Sequence, residues 1–212
     1  MKTAVYSGSF DPLHKGHLRI MEYLTREGGF DCVYLIVSPQ NPLKESGKAL
    51  NAEKRYRDAL EAVARHPELK VKVDDIELRM PPPNYSIRTL DALKRREPGN
   101  DFTLVIGADN LDNIHRWRDF PRILNEYGVV VYPRKGFDAG RIRETLYREM
   151  QLLPAPYVLD ASSVHSTPGT MSLEEQEHLW HIRIIDAPIV DISSTRIREG
   201  IAAGEDMSEW LM

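Results

Sequence analysis

One stretch near the start of the chain limits the fold more than any other, because it passes from an apolar run to a tight turn and then to helical spacing. Residues 3–6 form a short apolar run typical of a buried strand, and the apolar residues between Leu18 and Leu24 recur at the spacing of one helix face. Between them, Gly8 to His17 spell Gly-Ser-Phe-Asp-Pro-Leu-His-Lys-Gly-His. The stretch therefore predicts a strand, a turn and a helix that begins with two histidines.

The start of this predicted helix is suited to an anion. A helix N-terminus presents backbone N–H groups that have no partner within the helix, together with the positive end of the helix dipole. His14 and His17 are three residues apart, so both can face one side of the first turn, and Gly16 lets a ligand approach the backbone. A phosphate group fits such a site. The motif is neither the Gly-x-Gly-x-x-Gly dinucleotide fingerprint nor a Walker A loop.

The rest of the chain alternates between short apolar runs and helical patterns. The runs at residues 32–37, 71–73, 103–106, 129–132 and 182–185 predict strands. Helical patterns cover residues 51–66, a stretch from Ser86, a mixed region at 114–127, and residues 138–150 and 193–203, while no elements are predicted at 151–177. This alternation predicts a doubly wound, Rossmann-like α/β fold, a parallel sheet with helices on both faces. The length predicts a single domain over residues 1–212.

Composition excludes several classes of protein. The net charge of −4 gives no sign of a nucleic-acid partner. Cys32 is the only cysteine, which excludes an internal disulfide and a thiolate-rich zinc site and fits a reducing compartment. The sequence has no apolar stretch long enough to span a bilayer and no signal-peptide pattern at its start. We therefore expect a cytoplasmic protein with no nucleic-acid partner and no membrane partner.

A second motif, Ile-Ser-Ser-Thr-Arg-Ile-Arg from Ile192 to Arg198, also follows a strand and opens a helix. Serine and threonine at this position can serve as plain helix caps without any ligand. Arg198 adds a guanidinium one turn further on, on the side of Ser194 and Thr195, where it can form paired hydrogen bonds to phosphate oxygens. The motif therefore predicts a second phosphate contact.

The two motifs together resemble the signatures of the nucleotidylyltransferases that carry two histidines around a glycine. That family transfers a nucleotidyl group from a nucleoside triphosphate and releases pyrophosphate. The resemblance implies that His14, His17 and Arg198 are catalytic. It implies ATP-binding roles for Gly8, Ser9, Phe10, Gly107, Asp109, Ile192, Ser193, Ser194 and Thr195.

A third set of residues resembles the nicotinate-nucleotide adenylyltransferase branch, which joins nicotinic acid mononucleotide to the AMP portion of ATP. The set comprises residues 84–86, residues 106–111 and Trp117. The resemblance implies acceptor contacts from Lys44, Tyr85, Ser86, Trp117 and Arg134. Backbone N–H groups at the start of the Ser86 helix suit a carboxylate better than a carboxamide, and an indole face suits a pyridinium ring. Packing alone also accounts for Tyr85 and Trp117, and a solvated surface arginine accounts for Arg134.

The resemblance further implies direct attack on ATP, with Mg²⁺ held through substrate phosphates and water rather than by a protein metal site. The expected partners are ATP and nicotinic acid mononucleotide, and a homo-oligomer remains open. In the loop that leads to Lys44, Asn41 and Leu43 depart from the pattern usual in the family. Two alternatives stay open: another acceptor, either nicotinamide mononucleotide or phosphopantetheine, and a non-catalytic nucleotide-binding regulatory domain.

Overall fold

The computed structural model describes residues 1–39, 52–150 and 181–212. Its strands are β1 (Lys2–Gly8), β2 (Cys32–Val37), β3 (Val71–Asp74), β4 (Asp101–Gly107), β5 (Val129–Tyr132) and β6 (Ile182–Ile184). Its α-helices are α1 (Lys15–Arg26), α2 (Ala52–Ala64), α3 (Ile76–Arg79), α4 (Ser86–Arg96), α5 (Ala108–Asp112), α6 (Phe120–Arg122), α7 (Ala139–Met150) and α8 (Ser194–Ala202). Short 3₁₀ turns at Ile114–Arg116 and Ser208–Trp210 and a π turn at Ile123–Tyr127 complete the described elements. Lys44 and the region 151–177 lie outside the described residues.

The six described strands form one parallel sheet in the order β3-β2-β1-β4-β5-β6. In the register of the sheet, Val5 of β1 lies beside Tyr34 of β2 on one side and Leu104 of β4 on the other. The chain winds outward from β1 to β3 and then returns to build β4 to β6 on the opposite side. The strand order therefore reverses between β1 and β4, the place where open α/β sheets bind ligands.

Helices cover both faces of the sheet. Alternate residues of each strand point to opposite faces, so Tyr6 joins the apolar cluster under α1 and α2, whereas Val5 joins the cluster under α4 and α7. Met21 and Leu24 of α1 and Leu90 of α4 are fully buried in these two layers. Strands that are buried on both faces are nearly continuous apolar runs, which is the pattern found in the sequence. The predicted doubly wound fold is confirmed.

The differences from prediction lie in short elements. The helices α3 and α5 were not predicted, because four or five residues do not complete an apolar period. The mixed region at 114–127 is a chain of single turns, interrupted where Asp119 takes a left-handed conformation at φ 51° and Pro121 follows. In the described parts of the chain, no helix is long and apolar enough to cross a membrane.

Candidate active site

A cavity of about 490 Å³ opens beyond the carboxyl ends of β1 and β5, between the start of α1 and the segment that leads into α8. It is lined by Tyr6, His14, Gly16, His17, Ile20, Asp109, residues 132–135, Phe137, residues 187–193 and Arg196. The two histidines come from one end of the chain and Ser193 and Arg196 from the other, so the fold brings the two motifs to one cavity. This convergence is what the sequence predicts for a phosphate-binding crevice.

His14 and His17 form the N-terminal cap of α1. The Nδ1 atom of His14 accepts the N–H of Gly16 at 3.1 Å, and the Nδ1 atom of His17 accepts the N–H of His14 at 3.2 Å. Since each Nδ1 is an acceptor, each ring carries its proton on Nε2. The two rings stack with their centroids 3.7 Å apart. The cap thus leaves two fixed Nε2–H donors in the wall of the cavity.

Both imidazoles are neutral near pH 7. Burial, with a smaller contribution from the Arg134 charge, lowers the pKa of His14 to about 4. Burial also lowers the pKa of His17 well below its ordinary value, and His14 and Arg134 add to that effect. The site therefore presents uncharged donors beside a fixed guanidinium.

The turn before α1, residues 8–14, packs against these histidines. Phe10 is buried at a positive φ of 45°, and its ring meets His17 edge to face at 5.2 Å between centroids. A Cβ added at Gly8 would lie 3.0 Å from that ring, so only glycine leaves Phe10 in place. The buried guanidinium of Arg55, on α2, donates to the backbone oxygen of Ser9. These contacts fix the turn, and Gly8, Ser9 and Phe10 are not among the residues that line the cavity.

The start of α8 rests directly on the same turn. Ser193 caps the helix by accepting the N–H of Arg196, and the Ser194 hydroxyl donates to the backbone oxygen of Pro12 at 3.0 Å. Arg198 donates to the backbone oxygen of Asp11 at 2.6 Å and to the Thr195 hydroxyl at 3.2 Å. Arg198 therefore lies beside the histidine motif, although the cavity lining is formed by Ile192, Ser193 and Arg196 rather than by Ser194, Thr195 and Arg198.

Arg134 and Asp109 form a charged pair in the lining of the cavity. The Arg134 Nε atom lies 3.5 Å from the Asp109 carboxylate, and its Nη2 donates to the Tyr132 hydroxyl at 3.2 Å. A Cβ at Gly107 would collide with the Asp109 carboxylate, so any other residue there would make that side chain shift. In the part of the chain that is described, no group of three or more His, Cys, Asp or Glu side chains could hold a metal ion.

Comparisons with known proteins match this site and fold. The cytidylyltransferase-like family model matches residues 5–200. A protein of Flavobacterium johnsoniae named "Probable nicotinate-nucleotide adenylyltransferase" is 31% identical over 211 residues, covering 100% of this chain and 92% of that protein. A Bacteroides fragilis protein of the same name is 34% identical over 210 residues, covering 99% of this chain and 87% of that protein. This chain belongs to the nicotinate-nucleotide adenylyltransferase family.

Solved structures of nicotinate-nucleotide adenylyltransferases share the fold. The Plasmodium falciparum nicotinic acid mononucleotide adenylyltransferase complexed with NaAD superposes with a TM-score of 0.68 at 12% identity, covering 99% of this chain and 90% of that chain. The same enzyme complexed with APC gives a TM-score of 0.63 at 14% identity, with the same coverage. The resemblance inferred from the two motifs is thus confirmed at the level of the family and the fold.

The residues predicted for the acceptor of this adenylyltransferase family lie in different places. Arg134 lines the cavity. Tyr85 and Trp117 are half-buried against the apolar cluster under α4 and α7, and Ser86 begins α4; none of these three lines the cavity. Lys44 is outside the described residues. Their contacts with an acceptor stay a prediction.

Five polar cavity residues were not predicted: Tyr6, Tyr132, Lys135, Asp191 and Arg196. Tyr6 of β1 and Tyr132 of β5 belong to the apolar cluster under α1 and α2. In the sequence they stand among apolar residues and therefore look like ordinary core residues. Lys135, Asp191 and Arg196 stand next to predicted residues in the chain. The signal that could have found them is their position at strand ends and helix starts beside the motifs.

Proposed function

We propose that this adenylyltransferase transfers the adenylyl group of ATP to nicotinic acid mononucleotide, giving nicotinic acid adenine dinucleotide and pyrophosphate. The observation that carries the proposal is the convergence of two helix starts, one bearing His14 and His17 and the other Ser193, on one cavity beside the point of strand-order reversal. Both helix starts suit phosphate groups. Family membership supplies the reaction type and the acceptor. We place the reaction in the cytoplasm, which the free thiol of Cys32 supports.

The proposed chemistry is a single in-line displacement. A phosphate oxygen of the mononucleotide attacks the α-phosphorus of ATP, a new P–O bond forms, and the bond to the β-phosphate breaks as pyrophosphate leaves. Both reactants are polyanions, so the protein must hold them together and offset their charge. Positioning of this kind can contribute about 7–11 kcal/mol, and each fixed donor aimed at developing charge about 3 kcal/mol.

His14 and His17 supply the fixed donors in this proposal. Because each Nδ1 accepts a hydrogen bond in the cap, Nε2–H is the single N–H group of each ring. Burial keeps both rings neutral, and the cap contacts hold them in place. A neutral imidazole that is already oriented donates to a phosphate oxygen without reorganising at the moment of reaction. We assign them to oxygens of the α- and β-phosphates, with His14 at the bridging oxygen.

The start of α8 holds the leaving pyrophosphate in this proposal. Ser194 and Thr195 lie at the positive end of the helix dipole, where their backbone N–H groups and the Thr195 hydroxyl are offered to the phosphates. The Ser194 hydroxyl already donates to the backbone oxygen of Pro12. Arg198 uses Nη1 and Nη2 toward Asp11 and Thr195, and the remaining N–H donors of its guanidinium are available to a phosphate. The acceptor's own phosphate is assigned to Arg134, which lines the same cavity.

Magnesium fits this donor set only as an ion carried by the substrate. The cavity carboxylates are already paired, Asp109 with Arg134 at 3.5 Å and Asp191 with Lys135 at 2.7 Å. No residue is therefore assigned as a direct ligand, and phosphate oxygens and water complete the coordination. When bound, Mg²⁺ neutralises charge on the triphosphate.

The acceptor's carboxylate is assigned to the start of α4. Tyr85 occupies the cap position there, and its side chain does not bond to the helix amides. Uncapped amide N–H groups donate to a carboxylate, but they face a carboxamide NH₂ group donor to donor. Trp117 offers a ring face for the pyridinium, and Lys44 a charge for a phosphate.

The test is a comparison of acceptors. The purified chain is incubated with ATP, Mg²⁺ and one of three acceptors, and both pyrophosphate and the coupled product are measured. We expect turnover with nicotinic acid mononucleotide to exceed turnover with nicotinamide mononucleotide by about tenfold or more, because the amides discriminate between the two groups. Preference for nicotinamide mononucleotide or phosphopantetheine would overturn the acceptor assignment, and absence of pyrophosphate with every acceptor would favour a non-catalytic nucleotide-binding domain.

A further inference from the structure

Glu77 is a buried carboxylate that the mechanism above does not use. Only 2% of the residue is exposed, and it lies on the short helix α3 that follows β3. Its Oε2 accepts the Ser38 hydroxyl at 2.6 Å, and its Oε1 accepts the Thr89 hydroxyl at 2.8 Å and the Ser7 hydroxyl at 3.3 Å. Its backbone oxygen accepts the side-chain amide of Asn84 at 3.0 Å. Four separate segments therefore meet at this one residue.

These partners come from the carboxyl ends of two neighbouring strands and from the start of α4, and one of these strands, β1, also ends at the cavity. Ser7 is near the end of β1, one residue before the glycine that begins the histidine motif, and Ser38 directly follows β2. Thr89 is in the first turns of α4, and Asn84 directly precedes Tyr85 and Ser86. The hydroxyl oxygens of Ser7 and Ser38 also lie 2.9 Å apart, so the single Ser7 proton is shared between Glu77 and Ser38. Glu77 thus joins the start of α4 to the carboxyl ends of β1 and β2.

A carboxylate in this position is costly unless its partners are complete. Burial raises the pKa of the Glu77 carboxyl, and the hydroxyls of Ser38, Thr89 and Ser7 offset part of that rise. Among the described residues no lysine or arginine forms an ion pair with it, so the hydroxyls are what stabilises the group. A buried network of this kind favours one geometry strongly, because each unmet partner leaves a desolvated polar group.

We propose that Glu77 is a positioning residue for the acceptor: through Thr89 and Asn84 it sets the place of the α4 start relative to β1 and β2. This inference rests on the proposed function, since that function assigns the acceptor's carboxylate to the α4 amides. The ATP phosphates are assigned to α1 and α8, which Glu77 does not contact. Loss of Glu77 therefore weakens acceptor recognition and leaves ATP recognition intact.

The experiment compares Glu77→Gln with Glu97→Gln as a matched control. Gln replaces one accepting oxygen with an NH₂ group, which cannot accept from Ser38 or Thr89. Glu97 is a partly buried carboxylate that accepts the Tyr34 hydroxyl at 2.7 Å. It directly follows α4, at the opposite end of that helix from Ser86. We expect Glu77→Gln to raise the KM for nicotinic acid mononucleotide about tenfold and to leave the KM for ATP within about twofold. We expect Glu97→Gln to change neither.

A second pair of variants keeps the test valid if Glu77→Gln does not fold. Thr89→Val removes only the hydroxyl that joins Glu77 to α4, and Thr25→Val is its control, because the Thr25 hydroxyl bonds only to backbone oxygens of α1. We expect Thr89→Val to raise the acceptor KM several-fold more than Thr25→Val does. Acceptor affinity measured by calorimetry without ATP should change by the same factor.

The outcomes separate this inference from the proposed function. An active wild-type enzyme, together with wild-type acceptor KM in Glu77→Gln and Thr89→Val, overturns the role of Glu77 alone. An equal rise in the KM values for both substrates also overturns it, because a general loss of structure would do the same. A wild-type protein that forms no dinucleotide overturns the proposed function and this inference with it.

Discussion

The starts of α1 and α8 follow the same plan but are held in opposite ways. At α1 the recognition groups are neutral, stacked and enclosed, with His14 only 4% exposed. At α8 they are charged and accessible: the side chains of Arg196 and Arg198 are 52% and 43% exposed, and both are paired with carboxylates of the protein. Enclosed donors act through fixed geometry, whereas exposed charges act through attraction that water and salt screen. We therefore expect α1 to control the rate of the chemical step and α8 to control affinity for ATP.

The sharpest test of the comparison is His17→Ala. Removal of one fixed donor from the wall of the cavity should lower kcat about 10²- to 10³-fold and change the KM for ATP only modestly. Steady-state kinetics of pyrophosphate release measures both quantities. The control is His66→Ala, since His66 follows α2 and contacts Glu68 away from the cavity; it should keep wild-type kinetics. Near-normal turnover of His17→Ala would remove His17 from the mechanism.

A smaller effect is expected from Arg198→Ala, and it should appear in a different constant. Loss of a charge-assisted contact to phosphate costs about 1.5–3 kcal/mol, so the KM for ATP should rise by about 10- to 100-fold while kcat falls less. Arg196→Ala on the same helix is the matched variant, because Arg196 lines the cavity while bound to Glu205 at 2.6 Å. A larger loss of ATP affinity in Arg196→Ala than in Arg198→Ala would transfer the phosphate contact to Arg196.

The fold could be predicted from the sequence because buried parallel strands carry a direct signal. The apolar runs that become β1, β2, β4 and β5 are continuous, and helical patterns separate them, which leaves few topologies other than a doubly wound sheet. The helix α3 gives no such signal, since only four residues are helical. That short helix nevertheless carries Glu77, so no hydrophobic pattern in the sequence points to the residue that joins four segments.

The arrangement of the site could be predicted from the sequence where the residues of a motif contact one another within a single turn. His14 and His17 are fixed by contacts within their own turn, so their proximity follows from spacing alone. The roles of Arg196 and Arg198 depend on how α8 meets a turn from the other end of the chain, a contact made by Ser194 and Pro12. The spacing of residues within the second motif does not show how α8 packs against that turn. The sequence therefore did not predict that Arg196, and not Arg198, lines the cavity.

The smallest expected effect concerns stability in acid and again separates the two helix starts. In the unfolded chain His14 regains an ordinary pKa near 6.5, whereas burial lowers its pKa in the folded protein to about 4. Between these values the unfolded state binds the proton and the folded state does not, so this residue makes stability fall as the pH falls from 6.5 toward 4. The serine cap of α8 has no such titration.

His14→Asn keeps a capping side chain at α1 but removes the ionisable ring. In urea unfolding, the free energy of unfolding of wild type should therefore lose about 1 kcal/mol more than that of His14→Asn between pH 7 and pH 5.5. Equal losses in the two proteins would mean that the α1 cap is open to protonation in the folded state, and the contrast between an enclosed and an exposed helix start would no longer hold.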